Sequence, residues 1–121
     1  MSDFLPHQES WILYEELGFN EPCYAVYSEH DHTRVYPQDS IREGKIIPAP
    51  IFQQAFKFFR EEYQMVFCYE PCLKKDLTYI FFIYIETTGE KVFVVESKYN
   101  KEAELACIKK LIEFVKNKNK I

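Results

Sequence analysis

The chain has 121 residues, of which 47% are hydrophobic and 28% charged, which excludes a disordered polymer and fits one domain able to bury a core without disulfides or metal. A net charge of −4 lacks the basic excess of a domain that grips phosphate backbones mainly by charge, and so argues against nucleic acid as a partner. No apolar stretch is long enough to cross a membrane and the first residues lack a secretion signal, so the expectation is a cytoplasmic protein with no membrane partner. In that compartment Cys23, Cys68, Cys72 and Cys107 are expected to be reduced thiols. Aromatic residues reach 17%, with 11 Phe and 9 Tyr, a surplus that predicts a thick core together with an aromatic interface.

The first predicted element is a helix from His7 to Leu17, with Pro6 near its start and Trp11, Leu13, Tyr14 and Leu17 on its apolar side. Gly18 can take a left-handed stop conformation, and Phe19 can fold back on the last turn. A strand is predicted at Cys23 to Ser28, a polar turn at Glu29 to His32, and a return strand at Thr33 to Tyr36. Pro37 to Ile47 reads as a loop. The second helix is marked by Phe52, Ala55, Phe56, Phe59 and Tyr63 at helical spacing, with Pro50 suited to a first helical position. Ile51 and Phe58 widen its apolar side, which predicts a helix gripped on more than one flank.

A strand at Met65 to Glu70 and a loop at Pro71 to Asp76 come next. Thr78 to Glu86 then pairs with Lys91 to Ser97 across Thr87-Thr88-Gly89-Glu90, a short Gly-containing connection between two β-rich runs. The third helix runs from Asn100 to Asn117 and buries Leu105, Ile108, Leu111, Ile112 and Val115, with Glu102 and Glu104 near its start and Lys116 near its end. The order is α-β-(β)-α-β-β-β-α: a single α+β domain over residues 1–121, with a mainly antiparallel sheet of about four strands and three helices packed to one side. Alternation along Thr78 to Glu86 puts Tyr79, Phe81, Ile83 and Ile85 on one face and Ile80, Phe82 and Tyr84 on the other. Neither face is polar, and three helices are few to cover both.

Catalytic constellations are missing from this pattern. Cys68 and Cys72 are one residue too far apart for a two-cysteine redox or zinc pair, and Cys107 reads as a small buried hydrophobe. His30 and His32 flank Asp31 after Glu29, and two His at alternate strand positions could share an ion, but a hydrophilic loop tip is the simpler account and the one preferred. His7 stands alone. Gly18, Gly44 and Gly89 are isolated, so no phosphate-cradling loop exists, and Glu15 with Glu16 or Glu61 with Glu62 read as solvated helix faces. No cofactor, metal or small-molecule substrate is indicated; an enzyme would have to use Cys68 or Cys72 with a depressed thiol pKa.

Three segments carry a resemblance. APIFQQAFKFFRE at 49–61 resembles the APxxQQAxxWFRE segment of a family of small uncharacterised proteins encoded by phages and prophages of Bacteroidota. EELGFNEPC at 15–23 is similar to that family's KELGFDEPC start, and KEAELACIKKLIE at 101–113 to its YEEAELACLKKLIE ending. Phe58 replaces the family's usual Trp, which keeps an aromatic anchor, and Glu15 its usual Lys. The resemblance implies an intracellular protein of a mobile element and brings no catalytic residue with it.

The leading expectation is a non-catalytic interaction or assembly module, a homodimer or a binder of another protein, whose surface comprises Tyr24, Phe82 and Tyr84 on an aromatic sheet face or Ile51 and Phe58 on the flank of the second helix. The alternative is a single-stranded nucleic-acid binder that stacks bases on Tyr24, Phe82 and Tyr84 beside Lys91 and the lysines of the third helix, Lys109, Lys110, Lys116, Lys118 and Lys120.

Overall fold

The computed structural model describes residues 4–28, 31–37, 46–72, 78–98 and 100–118, without the side chains of residues 31, 32 and 118. The class is α+β as the sequence predicts, but the strands form two three-stranded antiparallel sheets instead of one sheet of about four. The additional strand is Ile46–Pro48, at the end of the Pro37 to Ile47 segment read as a loop. Three residues that end in proline are too short to show alternation, yet they supply the second neighbour of the first sheet's central strand. The chain divides into two compact units, Met1–Ala55 and Phe56–Ile121.

In the first unit, α1 (His7–Trp11) passes directly into a π-helical turn (Ile12–Glu16), closed by the Leu17 N–H on the Ile12 carbonyl at 3.1 Å. Gly18 stops it at a φ of +80°, and the buried Phe19 returns its N–H to the Leu13 carbonyl at 2.8 Å. The buried side of this helix is Glu9, Ser10 and Leu13, while Trp11 and Tyr14 are exposed, which corrects the expected apolar side. Hydrogen bonding decides the orientation: the Ser10 hydroxyl donates to the Leu5 carbonyl at 3.1 Å, and the Tyr27 hydroxyl donates to the same oxygen at 2.7 Å. The sheet of this unit has the order β2-β1-β3, with β1 at Ala25–Ser28, β2 at Asp31–Pro37 and β3 at Ile46–Pro48. Tyr27 pairs with both Val35 and Ile47, so one face gathers Ala25, Tyr27, Ile47 and Ala49, with Phe4 and Val35 packed at its margin. Pro50 does not open the next helix; its carbonyl accepts the Leu5 N–H at 2.8 Å, and Ile51 forms a bridge with Phe4.

The second unit takes α2 (Phe52–Tyr63) from Phe56 onward, then β4 (Met65–Pro71), β5 (Tyr79–Ile85), β6 (Lys91–Ser97) and α3 (Asn100–Lys118). The strands form the meander β4-β5-β6. Phe56 stacks on Phe67 with ring centroids 4.0 Å apart, and Phe67 and Tyr69 lie against Phe81, so these rings share one face. On the same face Ile83 pairs with Phe93, whose ring lies 5.8 Å from the Lys110 ammonium of α3. Two helices therefore cover the Phe81 and Ile83 side, and both residues are almost fully buried together with Phe59, Cys107, Ile108 and Leu111. Gly89 closes the β5–β6 connection at a φ of +72°, its N–H bonded to the Ile85 carbonyl at 2.7 Å.

Candidate functional site

Antiparallel pairing places directly opposed residues on the same face of a sheet, so register turns the second face of β5 into a map. Its middle row is Cys68, Phe82 and Val94. Toward one end lies Glu70, Ile80 and Glu96; toward the other lies Val66, Tyr84 and Lys91. A bulge between Ile83 and Tyr84 brings Lys91 opposite Tyr84, and the Lys91 ammonium reaches back to 4.4 Å from the Phe82 ring centroid. This outer face thus has carboxylates at one end, an apolar middle and a lysine at the other.

Exposure along these rows is uneven. Cys68, Glu70, Lys91 and Glu96 are exposed, and Val94 is 55% exposed, high for a β-branched residue in the middle of a strand. Phe82 itself is buried, at 8% exposed, with Cys68 and Val94 opposite it across the strands, the Tyr84 ring 6.1 Å away and the Lys91 ammonium over its face. Tyr84 and Ile80 are half-buried.

These positions correct the expected surface residue by residue. Tyr24 is 82% exposed but immediately precedes β1 in the first unit, on a different sheet from Phe82 and Tyr84, so the three do not form one aromatic sheet face. Phe58 is 7% exposed, with Phe59 at 5.5 Å and Tyr63 at 5.9 Å, and belongs to the core instead of an open helix flank. Ile51 is half-buried through its bridge with Phe4. What the sequence reading lacked was the partners of β5: Val94 and Cys68 become surface neighbours of Phe82 only through register.

The thiols fall into two environments. Burial pushes the Cys107 thiol up to about 12, with the Glu104 carboxylate adding to the effect, and burial then Glu21 push Cys23 up to about 11. Both are inert small hydrophobes. Cys68 is exposed and Cys72 half-buried, and all four are free. Among the described residues no group of three His, Cys, Asp or Glu side chains is placed to hold a metal ion. Glu29 and His30 lie outside the described residues, as does the side chain of His32. Of the helix-three lysines, Lys110 pairs with Glu113 at 3.2 Å and lies 5.3 Å from the Phe114 ring, and Lys109 is exposed. Lys120 and the Lys118 side chain lie outside the described residues.

No helix among the described residues is long and apolar enough to cross a membrane. No family model, curated protein or solved structure matches this chain.

Proposed function

We propose that this chain is a protein-interaction or assembly module without a catalytic role, and that it docks through the outer face of the second sheet. The observation that carries the reading is the row Cys68, Phe82, Val94: apolar across three strands, exposed at both ends, and set between carboxylates and a lysine. An apolar centre with a charged rim is the anatomy of a protein interface, where the centre supplies affinity and the rim supplies orientation. The motif resemblance extends the proposal to a protein of a phage or prophage working in the cytoplasm of a bacterial host. The single-strand binding alternative has less to rest on, because Tyr24 adjoins a different sheet from Phe82 and Tyr84, and the Phe82 face carries two glutamates to one lysine.

The test compares the wild-type chain with Val94→Lys, which places a charge in the middle row at a solvent-facing position. Light scattering on each protein, together with affinity capture from a Bacteroidota extract, reads both self-association and capture of other proteins. The expected result is that contacts made by the wild type are lost in the variant while its circular dichroism spectrum is unchanged and its melting stays cooperative. Identical behaviour of the two proteins in both assays overturns the assignment to this face.

A further inference from the structure

We infer that the occupant of the outer face is a second copy of this chain, docked face to face about a two-fold axis that runs along the row Cys68, Phe82, Val94. The inference rests on the proposed docking role of that face and adds the identity and orientation of the partner. Its basis is the order of charges. A half-turn about an axis lying in the interface and perpendicular to the strands keeps each residue's place across the sheet and exchanges the two ends of the face. The middle row then meets itself: Phe82 faces Phe82 of the second copy and Val94 faces Val94.

The same half-turn exchanges the end rows. Glu96 and Lys91 stand on the same strand, on opposite sides of the axis, so Glu96 of each copy comes opposite Lys91 of the other. Within one chain the rows of Glu96 and Lys91 are separated by four residues of β5, from Ile80 to Tyr84, or about 13 Å of extended strand. One operation therefore buries the apolar centre and makes two opposite-charge contacts at the β6 edge, with Glu70 of each copy at the β4 edge facing Val66 of the other, whereas the half-turn about an axis parallel to the strands brings Glu96 opposite Glu70 and Lys91 opposite Val66 and makes no opposite-charge contact. The strands of the two copies run antiparallel, as aligned sheet packing permits.

Lys91 supplies the conformational step. In the single chain its ammonium lies over the Phe82 ring and shields it from water. In the dimer it swings to Glu96 of the second copy, and the ring it uncovers packs against its symmetry mate. Lys91 thus covers the apolar centre in the monomer and orients the partner in the complex.

Charge exchange tests this pairing directly. Sedimentation or light scattering across a concentration series is measured for the wild type, Glu96→Lys, Lys91→Glu and the double variant. Each single reversal is expected to weaken dimerisation by about tenfold or more, since both symmetry-related contacts become repulsive, and the double variant to regain most of it. A short-reach bismaleimide is expected to join Cys68 to Cys68 in a Cys72→Ser background. Disulfide oxidation is a poor probe here, because packed sheets stand about 10 Å apart and a disulfide needs Cα atoms within about 7 Å. A wild-type chain that stays monomeric at every concentration overturns the second copy as occupant. If that monomer still captures another protein in a Val94→Lys-sensitive way, the docking role stands without the dimer; if it captures nothing, both fall. A dimer in which the double variant is no better than either single reversal overturns the two-fold arrangement.

Discussion

Cys107 and Cys23 show how a side chain capable of chemistry is taken out of use. Each is buried, and each is held as a neutral thiol well above the ordinary value of 9.0, at about 12 and about 11. A folded-state pKa that is raised means the folded chain keeps a proton that the unfolded chain gives up. The associated stability is therefore fully present below about pH 9 and declines as the pH climbs toward the folded values, by about 1.4 kcal/mol per pH unit for each thiol. Urea unfolding at several pH values between 8 and 10.5 is expected to show this decline, with a shallower slope in Cys107→Ala even though that variant starts from a lower stability. Equal slopes for the two proteins contradict the assignment. The burial of Cys107 was legible from its apolar neighbours on a helix; that of Ser10 was not, because its hydroxyl donates to the Leu5 carbonyl, a hydrogen bond that no periodicity reveals.

At the scale of elements, the spans that carry regular apolar spacing emerge as predicted: α2, α3 and the β5–β6 hairpin. The departures come where backbone chemistry intervenes. A π-helical turn replaces the end of the first helix, and β3 is too short and proline-bound to read as a strand. The junction between α2 and β4 was also silent. There Gln64 adopts a φ of +59°, donates its N–H to the Arg60 carbonyl at 3.0 Å, and accepts the Glu86 N–H at 2.9 Å. Both bonds are made by the backbone, so the side chain contributes nothing to them while its Cβ bears the left-handed cost. Gln64→Gly is accordingly expected to stabilise the chain by about 1 kcal/mol, and Gln64→Val to destabilise it by a similar amount or more. Urea midpoints measure both, and a glycine variant less stable than the wild type refutes the strain argument at this turn.

For the whole molecule, the two-faced character of β5 could be read from the run Tyr79 to Ile85, and from it the expectation of an interface. The composition of that interface could not be read, since it requires knowing which residues of β4 and β6 stand opposite Phe82. Register supplies Cys68 and Val94, removes Tyr24 to another sheet, and sets Glu96 and Lys91 at opposite ends of one face. Burial likewise removes Phe58 from the surface, because its ring is held by Phe59 and Tyr63. The central claim is that a second copy covers the middle row, and Cys68 reports on it without a change to the interface. In the Cys72→Ser chain, the rate at which a small maleimide labels Cys68 is to be followed as protein concentration rises. Progressive protection of the thiol is the predicted result; a labelling rate independent of concentration, up to the solubility limit, contradicts the account.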